Sequence, residues 1–174
     1  MPKRKVFISY HHEDQDEVDD FLDEFEDSFI PKVIGVSDED DFIDSDDSDY
    51  IMRRIREKYL TDSTVTIVLI GSCTWARKYV DWEVASTLRD DVNNKRSGLL
   101  AITLKSEASG DKRLPARLDD NVTRDSNGKD IGYARWKKYP KTASSLESWI
   151  ETVYDLRDEE PDNKRDLRTN NAAC

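Results

Sequence analysis

The chain has 174 residues, of which 37% are charged and only 36% are hydrophobic, so length and composition predict one domain with a single core. The formal net charge is −11, and residues 13–49 alone hold 18 acidic side chains against one basic side chain, Lys32. Because such an acidic flank repels a phosphate backbone, we do not expect nucleic acid as a partner.

Targeting and membrane segments are not predicted. The apolar run near the start, Val6–Ile8, is too short for a signal peptide, and the longest one, Val65–Ile70, is too short for a membrane span. The two cysteines, Cys73 and Cys174, provide no disulfide framework and, with only two adjacent histidines, no zinc site. We therefore expect a protein of the reducing cytoplasm without a metal or cofactor, with Cys73 a small buried residue.

The first third of the chain predicts a strand, a helix, a short strand and a loop. Lys5–Tyr10 is β-branched and aromatic, which is typical of a buried strand. Apolar residues recur at helical spacing over 18–30, and Pro31 is expected to end that helix. Residues 32–36 predict a second strand. The acidic run 38–49 lacks the glycine and the glutamate of a calcium-binding loop, so it predicts a solvated loop. Loose cation binding is the alternative.

The middle of the chain contains the most hydrophobic segment. A second helix is predicted over 51–59, and Thr64–Ile70 is typical of a central parallel strand buried on both faces. A third helix is expected to begin near Tyr79, and Leu99–Leu104 predicts the fourth strand.

The last third is more polar. Residues 106–129 show no period and predict irregular structure, Ile131–Tyr139 predicts an edge strand, and 146–153 marks a last helix. We take residues 1–157 as the domain. The charged tail, 158–174, has few apolar residues to pack and is predicted to be disordered.

This order of elements predicts an α/β fold, with an open, mostly parallel, flavodoxin-like sheet and helices on both faces. Ligands bind such sheets at the carboxyl ends of the strands. The candidate site therefore comprises Ser9–His12, the loop 37–49 and the segment Gly71–Glu83.

Several common activities are excluded by residues that are missing from this edge of the sheet. With six glycines in all, neither a dinucleotide-binding glycine pattern nor a phosphate-binding loop can be written. The third strand ends in Leu69-Ile70-Gly71-Ser72, without the aspartate that a response-regulator receiver needs as phosphoacceptor.

Glu83 is a carboxylate near the start of the helix predicted after the third strand. Spacing alone favours an ordinary first-turn glutamate stabilised by the helix dipole, with a catalytic role as the alternative. By the same reasoning Trp75 and Trp82 are packing residues, and His11 and His12 face solvent from a loop.

Three segments together resemble Toll/interleukin receptor (TIR) domains, and most closely the TIR-like ThsB family of the bacterial Thoeris anti-phage system. They are Lys5–Tyr10, Asp62–Gly71 and Arg77–Val84. The similarity covers roughly residues 3–104 well and the rest loosely. It implies a TIR-like sheet.

The resemblance also implies an activity. Catalytic family members cleave NAD⁺ at the nicotinamide–ribose bond with a glutamate on the helix after the third strand, and Glu83 is the residue that matches. The chain would then be an NAD⁺ nucleosidase or ADP-ribosyl cyclase, a hydrolase for which NAD⁺ is substrate rather than cofactor. Its cyclic ADP-ribose type product would activate a partner effector, with activity conditional on infection or on self-association.

Further substrate contacts are expected at the strand ends. We hypothesise that aromatic faces stack on nicotinamide or adenine and favour internal attack over hydrolysis. The expected substrate-binding residues are Phe7, Ser9, Tyr10, His11, Ser72 and Trp82.

A non-enzymatic function is the alternative. The same fold can act as an interaction or adaptor module that self-associates or docks a basic partner through its acidic helix and loop. Neither function requires a membrane.

Overall fold

The computed structural model describes residues 2–92, 95–107 and 113–174. In these ranges strands and helices alternate along the chain, and four single turns of 3-10 helix lie at His12–Asp14, Thr74–Ala76, Lys105–Glu107 and Leu156–Asp158. The regular elements are β1 (Lys5–Ser9), α1 (Gln15–Glu24), β2 (Ile30–Lys32), α2 (Ser48–Lys58), β3 (Val65–Ile70), α3 (Lys78–Thr87), β4 (Gly98–Thr103), α4 (Ala116–Asp119), β5 (Ala134–Lys137) and α5 (Ala143–Asp155).

The five strands form one open sheet in the order β2-β1-β3-β4-β5, and every pair is parallel. The chain moves outward from β1 to β2 and then returns to β3 on the other side of β1. The direction of winding therefore reverses between β1 and β3, and the crevice above the carboxyl ends of these two strands is where open α/β sheets bind ligands. The predicted fold class is confirmed.

Helices cover both faces of the sheet, as predicted. Because side chains alternate between faces along a strand, β1 sends Val6 and Ile8 to one face and Phe7 to the other. The first face packs against α1 and α5 in one core cluster, and the opposite face packs against α2, α3 and α4. No helix of the described ranges is long and apolar enough to cross a membrane.

The boundary between α1 and β2 differs from the prediction. The helix ends at Glu24, and Pro31 lies inside β2 rather than ending a helix. Phe29 lies after the end of α1 but is buried in the same core cluster as the helix. The helical spacing of apolar residues therefore continues in the sequence beyond the helix itself. Ile30 donates its N–H to the carbonyl of Arg4 at 2.8 Å, so the nitrogen of Pro31 faces away from β1, where no donor is needed.

The acidic loop is more firmly anchored than a solvated charge run. Phe42 is fully buried, and Asp40 is only 4% exposed. The Asp40 carboxylate accepts hydrogen bonds from the Tyr59 hydroxyl at 2.8 Å and from the Ser37 amide at 3.0 Å. One apolar and one hydrogen-bonded side chain thus fix this loop against α2, which begins at Ser48.

Two polar regions also contain more structure than their composition predicts. The segment predicted to be irregular, 106–129, contains α4, and Leu114 and Leu118 join the core there, while its residues 108–112 lie outside the described ranges. Four residues are too few to show a helical period in sequence. The predicted edge strand is confirmed as β5, which is shorter than Ile131–Tyr139.

The charged tail, for which composition predicts disorder, lies against the domain in the structure. Leu167 packs beside the cluster that contains Phe7 and Trp82. The buried guanidinium of Arg117 donates to Asn163 Oδ1 at 2.8 Å and to the carbonyl of Asp166 at 3.0 Å. The anchors are mostly polar and main-chain groups, which a count of apolar residues does not reveal.

The two cysteines form a disulfide, with their Cα atoms 5.8 Å apart and 101 positions apart in sequence. The interpretation of Cys73 as a small buried residue is therefore wrong, because it is half-buried and covalently bonded to Cys174. The expectation that the two cysteines provide no disulfide framework rested on their small number, and this bond contradicts it.

Candidate functional site

Helix α3 is buried along most of its length, which is why its polar side chains matter. Every residue from Val80 to Thr87 is buried, so each polar group there needs a partner. The hydroxyls of Ser86 and Thr87 donate back to carbonyls one turn earlier, at 2.8 and 2.9 Å. The remaining polar side chains of this stretch are two carboxylates, Asp81 and Glu83.

Glu83 is held at the carboxyl end of β1. It is the sixth residue of α3, so the interpretation as a first-turn glutamate is wrong. Ser9, the last residue of β1, donates its hydroxyl to Oε1 at 2.7 Å, and the Val36 amide donates to Oε2 at 2.9 Å. Both carboxylate oxygens therefore have a protein donor.

Burial sets the protonation of this carboxyl group. Removal from water raises the pKa of Glu83 to about 7, although the hydrogen bonds from Ser9 and Val36 act in the opposite direction. The charge of Asp40 raises the pKa further. Glu83 is thus a carboxyl group that changes charge in the neutral range, as groups in active sites often do.

Gly35 allows the main chain to pass directly over Glu83. A Cβ atom at this position would overlap Glu83 Oε2 and would lie 3.2 Å from the ring of Phe7. Only glycine therefore lets the following amide, that of Val36, reach the carboxylate without displacing it.

Two cavities flank Glu83, and Tyr10 and Val36 also border both of them. The larger, of about 290 Å³, has an apolar wall formed by Ile8, Val33 and Ile34. The smaller, of about 100 Å³, has a polar wall formed by His11, Arg77 and Asn171. His12 lines both.

The smaller cavity contains a cation, Arg77. Its side chain is half-buried, and none of the carboxylates in the described part of the chain forms an ion pair with it. The neighbouring His11 is 5% exposed, and burial together with the charge of Arg77 lowers its pKa. The cavity therefore presents the Arg77 cation near His11, on a wall of the same cavity that Glu83 borders.

The structure brings several of the expected substrate-binding residues to Glu83. Ser9, Tyr10 and His11 lie around it, although Ser9 contacts the carboxylate itself. The Tyr10 hydroxyl donates to Gln15 Oε1 at 2.7 Å, which leaves its ring on the cavity walls. Phe7 lies beneath the site and is fully buried.

Two of the expected residues lie elsewhere. Trp82 points to the other side of α3, where it is 4% exposed and borders a separate cavity of about 260 Å³ with Ile43 and Leu167. Ser72 is exposed beside the disulfide and borders neither cavity at Glu83.

Sequence reasoning missed three groups of this site. Arg77 lay in a segment assigned to the site but was not singled out. Val36 contributes only its main-chain amide, so its residue type carries no signal. Asn171 lies in the tail, 88 positions after Glu83. Among the described residues, no group of three or more His, Cys, Asp or Glu side chains is arranged to hold a metal ion.

Comparison with known families gives one match. The family model described as Thoeris protein ThsB, TIR-like domain, matches residues 7–109. This range runs from β1 to beyond β4 and includes Ser9, Val36, Arg77 and Glu83. No curated protein matches the chain.

Proposed function

The chain belongs to the ThsB family of TIR-like domains, and from this premise we propose that it cleaves NAD⁺ at the nicotinamide–ribose bond with Glu83 as the catalytic residue. The products are nicotinamide and a cyclic ADP-ribose type signal that activates a partner effector in Thoeris defence. The observation that carries the proposal is the buried Glu83 carboxyl group, with a pKa raised to about 7, between two cavities at the switch point of the sheet.

The chemistry of the bond explains why one carboxylate suffices. Nicotinamide leaves NAD⁺ as a neutral pyridine, so no general acid is needed for the leaving group. The ribose C1′ develops the charge of an oxocarbenium ion, which an ionised Glu83 stabilises while it accepts hydrogen bonds from the ribose hydroxyls. Ser9 keeps the carboxylate oriented through its 2.7 Å hydrogen bond.

The larger cavity suits the leaving group. Its apolar wall accepts the pyridine ring, and Tyr10 offers an aromatic face beside the carboxylate. For cyclisation, an adenine nitrogen forms a bond to C1′ as the bond from C1′ to nicotinamide breaks, and NAD⁺ yields the cyclic product, nicotinamide and one proton. A ring held close to C1′ favours this internal attack over attack by water.

The cavities at Glu83 are too small for NAD⁺ in this structure. Cavities of about 290 and 100 Å³ are at or below the lower end of the 300 to 1,000 Å³ range of ligand pockets, and NAD⁺ is a large ligand. The amide of Val36 also donates a hydrogen bond to Glu83 Oε2, the oxygen that a ribose hydroxyl would need. Substrate entry therefore requires the loop at Gly35 and Val36 to move, which agrees with an activity that depends on infection or assembly.

Arg77 is the cation in the site that the diphosphate of NAD⁺ can contact. We expect Arg77→Gln to raise KM for NAD⁺ about tenfold while kcat changes less than about threefold, because a charged hydrogen bond to the unreacting diphosphate is lost. Initial rates of nicotinamide release measure both constants.

Lys78→Gln is the matched control for Arg77. It removes a neighbouring positive charge that borders the cavity beside Trp82 instead. Equal increases in KM for the two variants, or a loss confined to kcat in Arg77→Gln, would count against a diphosphate contact.

The proposed activity is tested on lysates of cells that express the wild type or Glu83→Gln, with and without phage infection. Chromatography with mass spectrometry is expected to find a new cyclic ADP-ribose species in infected wild-type cells and none in the variant. Absence of any product in both states, with folded protein present, would contradict NAD⁺ cleavage.

That negative result would favour the interaction module. The exposed acidic side chains of α1 support docking to a basic surface, and they include Asp16, Asp19, Asp20 and Asp23. Binding of this kind weakens steeply with salt.

A further inference from the structure

The end of the described chain crosses the face of α3 next to Glu83. Residues 162–174, here called the strap, follow the segment from Cys73 to Trp82. Four hydrogen bonds join them: Arg168 N to Asp81 Oδ2 at 2.8 Å, Trp82 Nε1 to the Arg168 carbonyl at 2.8 Å, Lys78 N to Asn171 Oδ1 at 2.7 Å, and Ala172 N to the Ala76 carbonyl at 2.9 Å.

The strap closes part of the site. Asn171 forms one wall of the smaller cavity, together with Arg77 and Glu83. Its side-chain oxygen also accepts a hydrogen bond from the Lys78 amide, the first amide of α3. Asn171 thus caps the helix, since the side chain of the N-cap residue, Arg77, does not. A substrate that reaches Arg77 from this side must displace Asn171.

The two halves of the strap are held very differently. Residues 162–168 are anchored by Leu167, which packs against the core cluster of Phe7 and Trp82, and by hydrogen bonds to Asp81 and from the buried Arg117. Residues 169–174 are exposed except for a half-buried Ala172. Apart from the disulfide, the bonds that join them to α3 and its preceding turn are those of Asn171 and Ala172.

The disulfide is accessible to a reductant. Cys174 is exposed and Cys73 is half-buried. Without the covalent bond, the exposed six residues 169–174 depend on two hydrogen bonds that water can replace, and segments of this kind open readily.

We propose that the Cys73–Cys174 disulfide is a redox switch that controls access of NAD⁺ to Glu83, a step that rests on the proposed function. A dithiol reductant transfers two electrons and two protons: the sulfur–sulfur bond breaks, both cysteines become thiols, and the reductant becomes a disulfide. Residues 169–174 then swing away from the hinge after Arg168. The smaller cavity opens to solvent beside Arg77.

The switch is tested on the full chain, oxidised or reduced by dithiothreitol, with mass spectrometry after thiol alkylation to count free cysteines. The first readout is the Kd for ADP-ribose, measured by calorimetry on Glu83→Gln so that turnover plays no part. We expect reduction to lower the Kd at least about tenfold. This is the change that results when the fraction of molecules with an open cavity rises from about a tenth to nearly all.

The second readout is amide hydrogen exchange. Reduction should remove protection at the amides of Lys78 and Ala172, whose hydrogen bonds join residues 169–174 to the domain, while the amide of Arg168 keeps its protection. Unchanged exchange at Lys78 and Ala172, or the same Kd in both states, would overturn the switch.

A variant without cysteines separates the disulfide from other effects of reductant. Cys73 and Cys174 are the two cysteines of the chain, so the double variant Cys73→Ser/Cys174→Ser has no thiol left. It should bind ADP-ribose like the reduced protein, with or without dithiothreitol. A redox-dependent Kd and exchange without any NAD⁺ turnover would leave the switch standing and would remove the proposed reaction instead.

Discussion

Glu83→Gln is expected to lower NAD⁺ turnover by about 1,000-fold or more while the protein stays folded, because a neutral amide cannot stabilise the oxocarbenium charge. Glutamine fits the same space. Its Oε1 can accept the Val36 amide, and its NH₂ can donate to Ser9, whose hydroxyl is free to rotate. Rates of nicotinamide release by the purified variant, beside its circular dichroism, measure both effects.

The pH dependence of turnover tests the same catalytic role of Glu83. Catalysis needs the ionised form, so wild-type turnover should rise between pH 6 and 8 with an apparent pKa of about 7. Stability should change in the opposite direction. Folded Glu83 holds a proton that the unfolded chain releases near pH 4.5, so the free energy of unfolding falls as pH rises from 4.5 through 7.

Glu83→Gln lacks this titration. The free energies of unfolding of variant and wild type should therefore be similar at pH 4.5, and at pH 8 the variant should be more stable by up to about 3 kcal/mol. Urea denaturation at the two pH values measures the difference. Glu147→Gln, the same change at an exposed position of α5, is the control and should alter neither turnover nor stability. Retention of a tenth of wild-type turnover in Glu83→Gln would rule out the assigned role.

Asp81→Ala is expected to lower the free energy of unfolding by about 3 to 5 kcal/mol, because it leaves a buried guanidinium without its counter-charge. Arg117 is 1% exposed, and its Nε donates to Asp81 Oδ1 at 2.9 Å. The second oxygen, Oδ2, also accepts the amide of Arg168, so the change removes an anchor of the strap as well. Urea denaturation monitored by tryptophan fluorescence gives the value.

Two further variants identify the cause of that loss. Asp81→Asn keeps an acceptor for Arg117 and should lose less stability than Asp81→Ala. The double variant Asp81→Ala/Arg117→Met removes the orphaned charge and should recover part of the loss. If Asp81→Ala lowers the free energy of unfolding by less than about 1 kcal/mol, the Asp81–Arg117 pair is exposed to water in solution and the prediction is wrong.

The fold could be predicted from the sequence where buried positions are occupied by apolar residues. β3 is predictable because all six of its side chains are buried and five are aliphatic. The end of α1 was misplaced because Phe29 is buried for a reason unrelated to the helix. The tail was missed because its anchors are backbone amides and carbonyls, together with one buried arginine, Arg117.

The candidate site shows the same limit. The resemblance points to Glu83, and the end of β1 places Ser9, Tyr10 and His11 near it. The Val36 amide and the wall formed by Asn171 depend on where the backbone runs in three dimensions, and residue types do not reveal this. Trp82 was expected in the site as an aromatic residue near a strand end, yet it lies on a helix beside Glu83, and neighbouring helix residues point in different directions.

The position of Pro31 restricts how copies of this domain can assemble. Within β2, residue 31 alone faces outward, and proline has no N–H to offer there. A strand from another molecule would therefore find no main-chain donor within β2, which weakens any extension of the sheet from this edge into an intermolecular ladder. Self-association through helix surfaces or through the opposite edge of the sheet, at β5, does not meet this obstacle.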